Sequence, residues 1–272
     1  MGLSLYLSIG WWGFLLIFPY VGGCVSLGVS VSRRFEGKRK DLGRRLAILA
    51  VSPVFLIFLG LMQRENLQLE ETVFYYAFFL STGVFTRVLI HYAVAKVVGP
   101  LIWGRGFCGW ACWTAALLEW LPVHENRPVS YRWTHMRWPA LFLSLAIPIL
   151  CLASGYDYRS LHIDPEHGKS GQLLWFMVGN GVYYACAVSL AFIFRKKRAF
   201  CRILCLMKPG TSLARIRKKP TGRECVGCGQ CNENCPMDVD VMAAVMRGEP
   251  VSSTECILCG QCASVCPVGA VD

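Results

Sequence analysis

Glu224-Cys225-Val226-Gly227-Cys228-Gly229-Gln230-Cys231-Asn232-Glu233-Asn234-Cys235-Pro236 recurs thirty-one residues later as Glu255-Cys256-Ile257-Leu258-Cys259-Gly260-Gln261-Cys262-Ala263-Ser264-Val265-Cys266-Pro267. Both copies read C-x2-C-x2-C-x3-C-P, the spacing with which thiolates hold cubane [4Fe–4S] clusters. Three closely spaced thiolates wrap one corner of a cube, and the fourth is borrowed from the other repeat. One ligand set is then Cys225, Cys228, Cys231 and Cys266, and the other is Cys256, Cys259, Cys262 and Cys235. Zinc sites usually pair two short C-x2–4-C knuckles and have no use for a third cysteine two residues further on. Disulfides are the other rival. A reducing compartment, where clusters persist, lets fifteen cysteines stand without them.

Outward from this module the chain changes character. Of 272 residues 54% are apolar, more than a small two-cluster module needs. Apolar runs cover about 3–32, 46–62, 72–98, 139–154 and 173–194. About 20 apolar residues cross a bilayer core as a helix. The runs predict a multi-pass helical bundle of about five spans, or four if a short run fails. The first run has no basic n-region and no small-residue cleavage pattern, so it reads as an anchor. Its Pro19 and Gly22-Gly23 leave open a kink or a half-crossing. The domain boundaries expected are two N-terminal spans over 1–71, a membrane core over 72–205, a basic linker over 206–220 and the cluster module over 221–272.

Charge sets the expected orientation. Segments 33–45, 96–138 and 195–223 hold 7, 5 and 11 Lys/Arg, whereas 63–71 and 155–172 hold 1 and 2. By the positive-inside rule the basic segments, and the cluster module after them, face the cytoplasm of a prokaryotic inner membrane. The net charge of +11 is therefore not a nucleic-acid signal. Residues 1–219 carry 26 basic and 10 acidic groups, which suits an inner face meeting anionic lipid. Residues 220–272 carry 2 and 7, an acidic surface able to steer a basic partner. The sequence has no P-loop and no G-x-G-x-x-G, so nucleotide-driven and NAD-dependent chemistry have no visible site.

A second repeat lies in the apolar part. Arg105-Gly106-Phe107-Cys108-x3-Cys112 matches Arg198-Ala199-Phe200-Cys201-x3-Cys205. Cysteines four apart share one helix face, and a neighbouring arginine favours the thiolate. Cys108, Cys112, Cys201 and Cys205 thus form a candidate third centre: another iron–sulfur cluster, a single metal, or two reversible disulfides. Isolated Cys24, Cys151 and Cys186 read as packing. Arg87 and His91, one helical turn apart in an apolar run, are a candidate quinone site, since an intramembrane arginine is normally kept for a partner or a pathway. A haem on His91 finds no second histidine in another span. Lys96 is expected to snorkel to the interface and Glu119 to lie on the surface. The outer loop 156–172, with Asp157, His162, Asp164, Glu166 and His167, is polar enough to dock a partner.

Taken together, paired apolar segments, two C-x3-C motifs and then two ferredoxin motifs resemble the membrane polyferredoxins of the NapH/NosR/CcoG type over roughly residues 72–272. The sequence differs where Trp113 and Leu206 stand in place of the proline that usually ends the family's C-x3-C motifs. The resemblance implies a helical membrane bundle followed by an α+β two-[4Fe–4S] ferredoxin of β-α-β-β-α-β type. It also implies electron transfer between the quinone pool and a redox partner subunit (iron–sulfur, cytochrome or reductase), as the quinol-dehydrogenase component of a respiratory complex. The alternatives it leaves are a maturation factor that reduces copper or a thiol, and a membrane anchor that wires a separate catalytic subunit.

Overall fold

The computed structural model describes residues 2–35, 37–163, 169–205 and 216–272. Its helices in chain order are α1 (Gly2–Ile9), α2 (Gly13–Arg34), α3 (Asp41–Pro53), α4 (Leu69–Thr82), α5 (Arg87–Tyr92), α6 (Gly99–Trp103), α7 (Gly106–Trp110) and α8 (Trp113–Glu119). These are followed by α9 (Arg137–Ala153), α10 (Ser170–Ile193), α11 (Ala199–Ile203), α12 (Gln230–Glu233), α13 (Val241–Met246) and α14 (Gln261–Val265). Four helical stretches are long and apolar enough to cross a membrane: Gly13–Arg34, Asp41–Met62, Tyr131–Ala153 and Ser170–Ile193.

The count is four because the run 72–98 breaks. After Thr82 the chain turns through Gly83 at φ +71°, whose N–H caps Phe79 O at 2.8 Å. Thr82 Oγ1 donates to Phe78 O at 2.8 Å and accepts from Val84 N–H at 3.2 Å. A hydroxyl that competes for backbone groups beside a left-handed glycine ends a helix even among apolar residues. Helix resumes at Arg87, passes through a π-helical stretch, Ala93–Val98, and finishes in α6. The N-terminal run also breaks, at Gly10 with φ +76°, while α2 continues unbroken through Pro19 and Gly22-Gly23. The expected kink at those residues is thus replaced by a break nine residues before Pro19.

The chain clusters into two compact units, each discontinuous in sequence. The first takes Met1–Phe55, Arg105–Pro122 and Ile216–Asp272, and the second Leu56–Gly104 and Val123–Arg215. The consecutive domains expected from sequence are interleaved here, since the stretch around the first C-x3-C groups with the cluster module. The expected linker falls largely on 206–215, outside the described residues.

In the first unit α2 and α3 approach closely. A Cβ on Gly43 would collide with Gly28 O and Ser32 Oγ, and one on Gly28 with Ala47 Cβ. Small residues four apart let two apolar helices bring their backbones together. The cluster module of this unit has no strand among the described residues, only an antiparallel bridge between Pro220 and Val271. The β-α-β-β-α-β expectation fails because the cysteine loops bend around their sulfurs instead of forming a ladder. Val239 N–H donates to Cys235 Sγ at 3.4 Å, and Ala270 N–H to Cys266 Sγ at 3.2 Å. A small core of Met237, Val239, Val241, Ile257 and Val271 is buried beneath.

In the second unit the stretch 63–71 is no solvent loop. Glu65, Asn66, Leu67, Gln68 and Glu71 are all buried. Tyr183, the fourteenth of the 24 residues of α10, donates from its hydroxyl to Glu70 Oε1 at 2.7 Å. A Cβ on nearby Gly179 would strike the Gln68 side chain. Polar chain therefore reaches the middle of an apolar helix, which a membrane protein tolerates only where protein supplies the partners.

Candidate iron–sulfur centres and a polar membrane pocket

The two cysteine loops share one backbone shape. Gly227 and Leu258 occupy the left-handed region at φ +68° and +53°, and Gly229 and Gly260 at +74° and +77°. The last two are needed because each loop reverses there into a short helix, α12 or α14. Leucine at positive φ is uncommon. Leu258 is held there by Trp110, whose Nε1–H donates to its carbonyl at 3.1 Å.

No disulfide joins any of the cysteines. Their mutual influence divides the ferredoxin cysteines into two crossed groups. Burial, then the charges of Cys225 and Cys266, push the Cys231 thiol up. Burial raises Cys256, with Cys235 adding to it. Burial lifts Cys259 to about 11 against the pull of Arg44, and Cys235 is again among its neighbours. Cys262 is pushed to about 12 by burial, then by Cys259, Cys256 and Cys235. Cys231 thus has Cys225 and Cys266 near it, and Cys235 is near Cys256, Cys259 and Cys262. Iron binding needs these sulfurs as thiolates, so a cluster has to displace the protons that burial keeps on them. The N–H groups aimed at Cys235 and Cys266 add the hydrogen bonds that tune such sulfurs.

The first C-x3-C motif lies directly against the second cysteine loop. Buried Arg105 pairs through Nη1 with Glu255 Oε2. Gly109 passes so close to Ile257 O that a Cβ there would collide with it. Arg44 Nη1 donates to Gly109 O at 3.1 Å and to Glu119 Oε1 at 3.0 Å, and Arg44 Nε pairs with Asp41 at 2.6 Å. Glu119, expected at the surface, is buried because it answers Arg44. Arg105, expected to favour a Cys108 thiolate, reaches Glu255.

Neither C-x3-C pair shares one helix face. Cys108 lies on α7 and Cys112 is the residue before α8, beyond the non-helical Ala111 (φ −139°, ψ −1°). Cys201 lies on α11, while Cys205 follows its end and donates N–H to Phe200 O at 3.1 Å. Cys108 and Cys112 belong to the first unit, Cys201 and Cys205 to the second. Among the described residues no three His, Cys, Asp or Glu gather as a single metal ion would require.

Arg87 and His91 share a carboxylate. Glu65 accepts from Arg87 Nε through Oε1 and meets His91 Nδ1 through Oε2 at 2.7 Å. A second buried pair joins Glu71 Oε1 to His162 Nδ1 at 2.5 Å, with Tyr156 OH on His162 Nε2 at 3.0 Å. Asp164, Glu166 and His167 lie outside the described residues. Beside these pairs α9 and α10 wall a cavity of about 740 Å³, lined by aliphatic side chains such as Leu143 and Val182, with Gln68, Glu70, Ser144 and Tyr183 among its polar groups. Among the described residues Gln68 Nε2 and Glu70 Oε2 find no hydrogen-bond partner.

Sequence reading missed Glu65, Gln68, Glu70, Glu71, Arg44 and Glu255. Glu255 carried a legible sign, since a glutamate precedes the first cysteine of both repeats. The acidic cluster 65–71 carried another, being placed between apolar runs.

A family model described as a 4Fe-4S dicluster domain matches residues 224–271. A second, described as a 4Fe-4S binding domain, matches residues 89–126, which include Cys108 and Cys112. An uncharacterized protein of Methanocaldococcus jannaschii is 29% identical over 165 residues, covering 56% of this chain and 67% of the relative. No solved structure matches. Two 4Fe-4S domains and four helices fit to cross a membrane support iron–sulfur electron transfer in a membrane protein.

Proposed function

We propose that this protein passes electrons between a membrane quinone pool and a redox partner subunit through two [4Fe–4S] clusters. Cys225, Cys228, Cys231 and Cys266 hold one, and Cys256, Cys259, Cys262 and Cys235 hold the other. When bound, each cluster supplies reversible one-electron chemistry. The observation that carries this reading is the seat of the second cysteine loop on Arg105–Trp110. A module fastened there is coupled to the apolar helices of its own unit and does not hang free on a tail.

The chain's own residues have defined tasks in this reading. Val239 and Ala270 N–H favour negative sulfur at Cys235 and Cys266. The aliphatic cavity suits the tail of a lipid-soluble quinone, and Gln68 with Glu70 offers its ring a donor and a carboxylate. Hydroquinone oxidation releases protons, and Glu70 Oε2 is an acceptor without a competing bond. Arg87 and His91 act with Glu65 as a proton-holding triad beside it. The basic segments face the cytoplasm of a prokaryotic inner membrane.

An anaerobic titration of cluster-replete protein with a reduced short-chain quinol tests this. The expected result is bleaching of the iron–sulfur absorbance, weakened in Glu70→Ala and Arg87→Ala. Clusters that bleach with dithionite and stay oxidised with quinol would refute the quinone link.

The 4Fe-4S binding-domain match across Cys108 and Cys112 supports a second reading, that of a maturation factor in which the C-x3-C cysteines are the working groups. Cys108→Ser and Cys201→Ser separate the two readings. Loss of copper(II) reduction with quinol bleaching intact would favour maturation.

A further inference from the structure

The cysteine repeats are alike in backbone and unlike in cover. In the second, Glu255 is 5% exposed and Ile257 2% exposed, sealed under Arg105, Gly109 and Trp110. At the equivalent positions of the first, Val226 is 62% exposed, and Glu224, Gly227 and Cys228 are exposed as well. Gly227 carries the same left-handed φ as Leu258, so its carbonyl belongs to a loop of the same form. Local conformation does not account for the difference. One loop has its cover built into the chain, and the other presents the same features bare.

We propose that the Glu224–Cys228 loop is the docking face for the soluble-side redox partner, a protein with a basic face that repeats the cover seen on the other loop. An arginine on the partner answers Glu224 as Arg105 answers Glu255. A small residue beside it lets the partner's backbone lie on Val226 as Gly109 lies on Ile257. An aromatic N–H meets the Gly227 carbonyl as Trp110 meets that of Leu258. The charge agrees, since residues 220–272 carry seven acidic and two basic groups and so attract a cationic partner at long range. The chain's own second R-x-F-C string cannot serve, because Arg198 and Ala199 are themselves buried. The inference rests on the electron-transfer reading and specifies where its partner binds. The two cysteine loops then divide the work, one fixed to the chain's own helices and one offered outward.

The test uses full-length, cluster-replete protein reduced with dithionite, with cytochrome c as a basic one-electron acceptor in stopped flow. Glu224→Arg and Val226→Glu are compared with Glu249→Arg, which makes the same charge change as the first elsewhere on the module. Iron content and the reduced-cluster spectrum confirm that each variant keeps its clusters. The expected result at low salt is a roughly tenfold or greater fall in second-order rate for Glu224→Arg and a smaller one for Glu249→Arg, the two converging as salt screens charge. Val226→Glu should slow transfer although it adds negative charge, because it spoils the apolar contact. Equal loss in Glu224→Arg and Glu249→Arg, or faster transfer in Val226→Glu, would overturn the docking face and leave only diffuse attraction. Clusters that accept electrons from dithionite and pass none to any acceptor would instead count against the electron-transfer reading itself.

Discussion

Arg105→Ala should release the second cysteine loop from its seat. The Arg105 and Glu255 side chains are 0% and 6% exposed, so the substitution removes the guanidinium from a buried carboxylate. Breaking one partner of a buried ion pair typically costs about 3–5 kcal/mol. At about 1.4 kcal/mol per tenfold, the docked form should lose roughly two to three and a half orders of magnitude against the opened one. Hydrogen exchange of the full-length, cluster-replete protein in detergent reads this directly, since local opening sets amide protection. The reporters are the Glu255 N–H, which donates to Ser253 Oγ at 3.2 Å, and the Cys256 N–H, which donates to Ser253 O at 3.1 Å. Protection there should fall while that of α10 is unchanged. The double variant Arg105→Met/Glu255→Leu should recover most of the protection, because well-packed apolar residues often replace a buried pair without loss. If Arg105→Ala leaves exchange at 255–256 within about threefold of the parent, the pair is not what seats the module.

Removing iron and sulfide should leave residues 221–272 open to protease, because a module with so small a core depends on its clusters to stay folded; a native-like digestion pattern in cluster-free protein would contradict this. Gly43→Val should lower the thermal unfolding midpoint in detergent by separating α2 from α3, while Gly22→Ala, with open space at its Cβ position, should not. Asp240 caps α13 through the Ala243 N–H at 3.1 Å, and Asp240→Ala should cost the module about 1 kcal/mol in denaturant unfolding. The hydrogen bond from Asn232, then that from Ala243, holds the Asp240 carboxyl below its usual range. Its contribution is thus complete above the unfolded value of about 3.9 and is lost as pH falls through the lower folded value. The Asp240→Ala penalty should accordingly be full at neutral pH and shrink in acid.

The cluster module was the most legible part of the chain, because thiolate spacing is dictated by the shape of a cubane and not by tertiary context. Even there the sheet was not legible: whether a loop pairs with a strand or turns its N–H groups on sulfur depends on contacts no spacing records. The membrane runs gave the four long helices, the lower of the two counts expected, since apolar composition cannot register a hydroxyl at Thr82 and a left-handed Gly83 that stop a helix. The R-x-F-C strings drew attention to the right segment for an incomplete reason. Cysteine spacing pointed to a shared helix face, while the arginine and the glycine between the cysteines serve to grip Glu255 and clear Ile257. Arg87 and His91 were read as a candidate quinone site, and Glu65, which meets both, lay in a stretch whose polarity suggested solvent. Hydropathy reports what a segment would prefer, and burial of 65–71 follows from where α10 places Tyr183.

The grip of Arg105 on Glu255 bears on how such a protein can be cut and rejoined. A module located by its own seat needs the intervening chain only to raise its local concentration near that seat. Lengthening that chain would dilute the module slightly, as the −3/2 power of length prescribes. Severing it would turn an intramolecular contact into a subunit interface with the same residues on both sides. Fusion of the helices and the cysteine module in one chain then serves assembly, while the seat itself holds the second cysteine loop on Arg105 and Trp110.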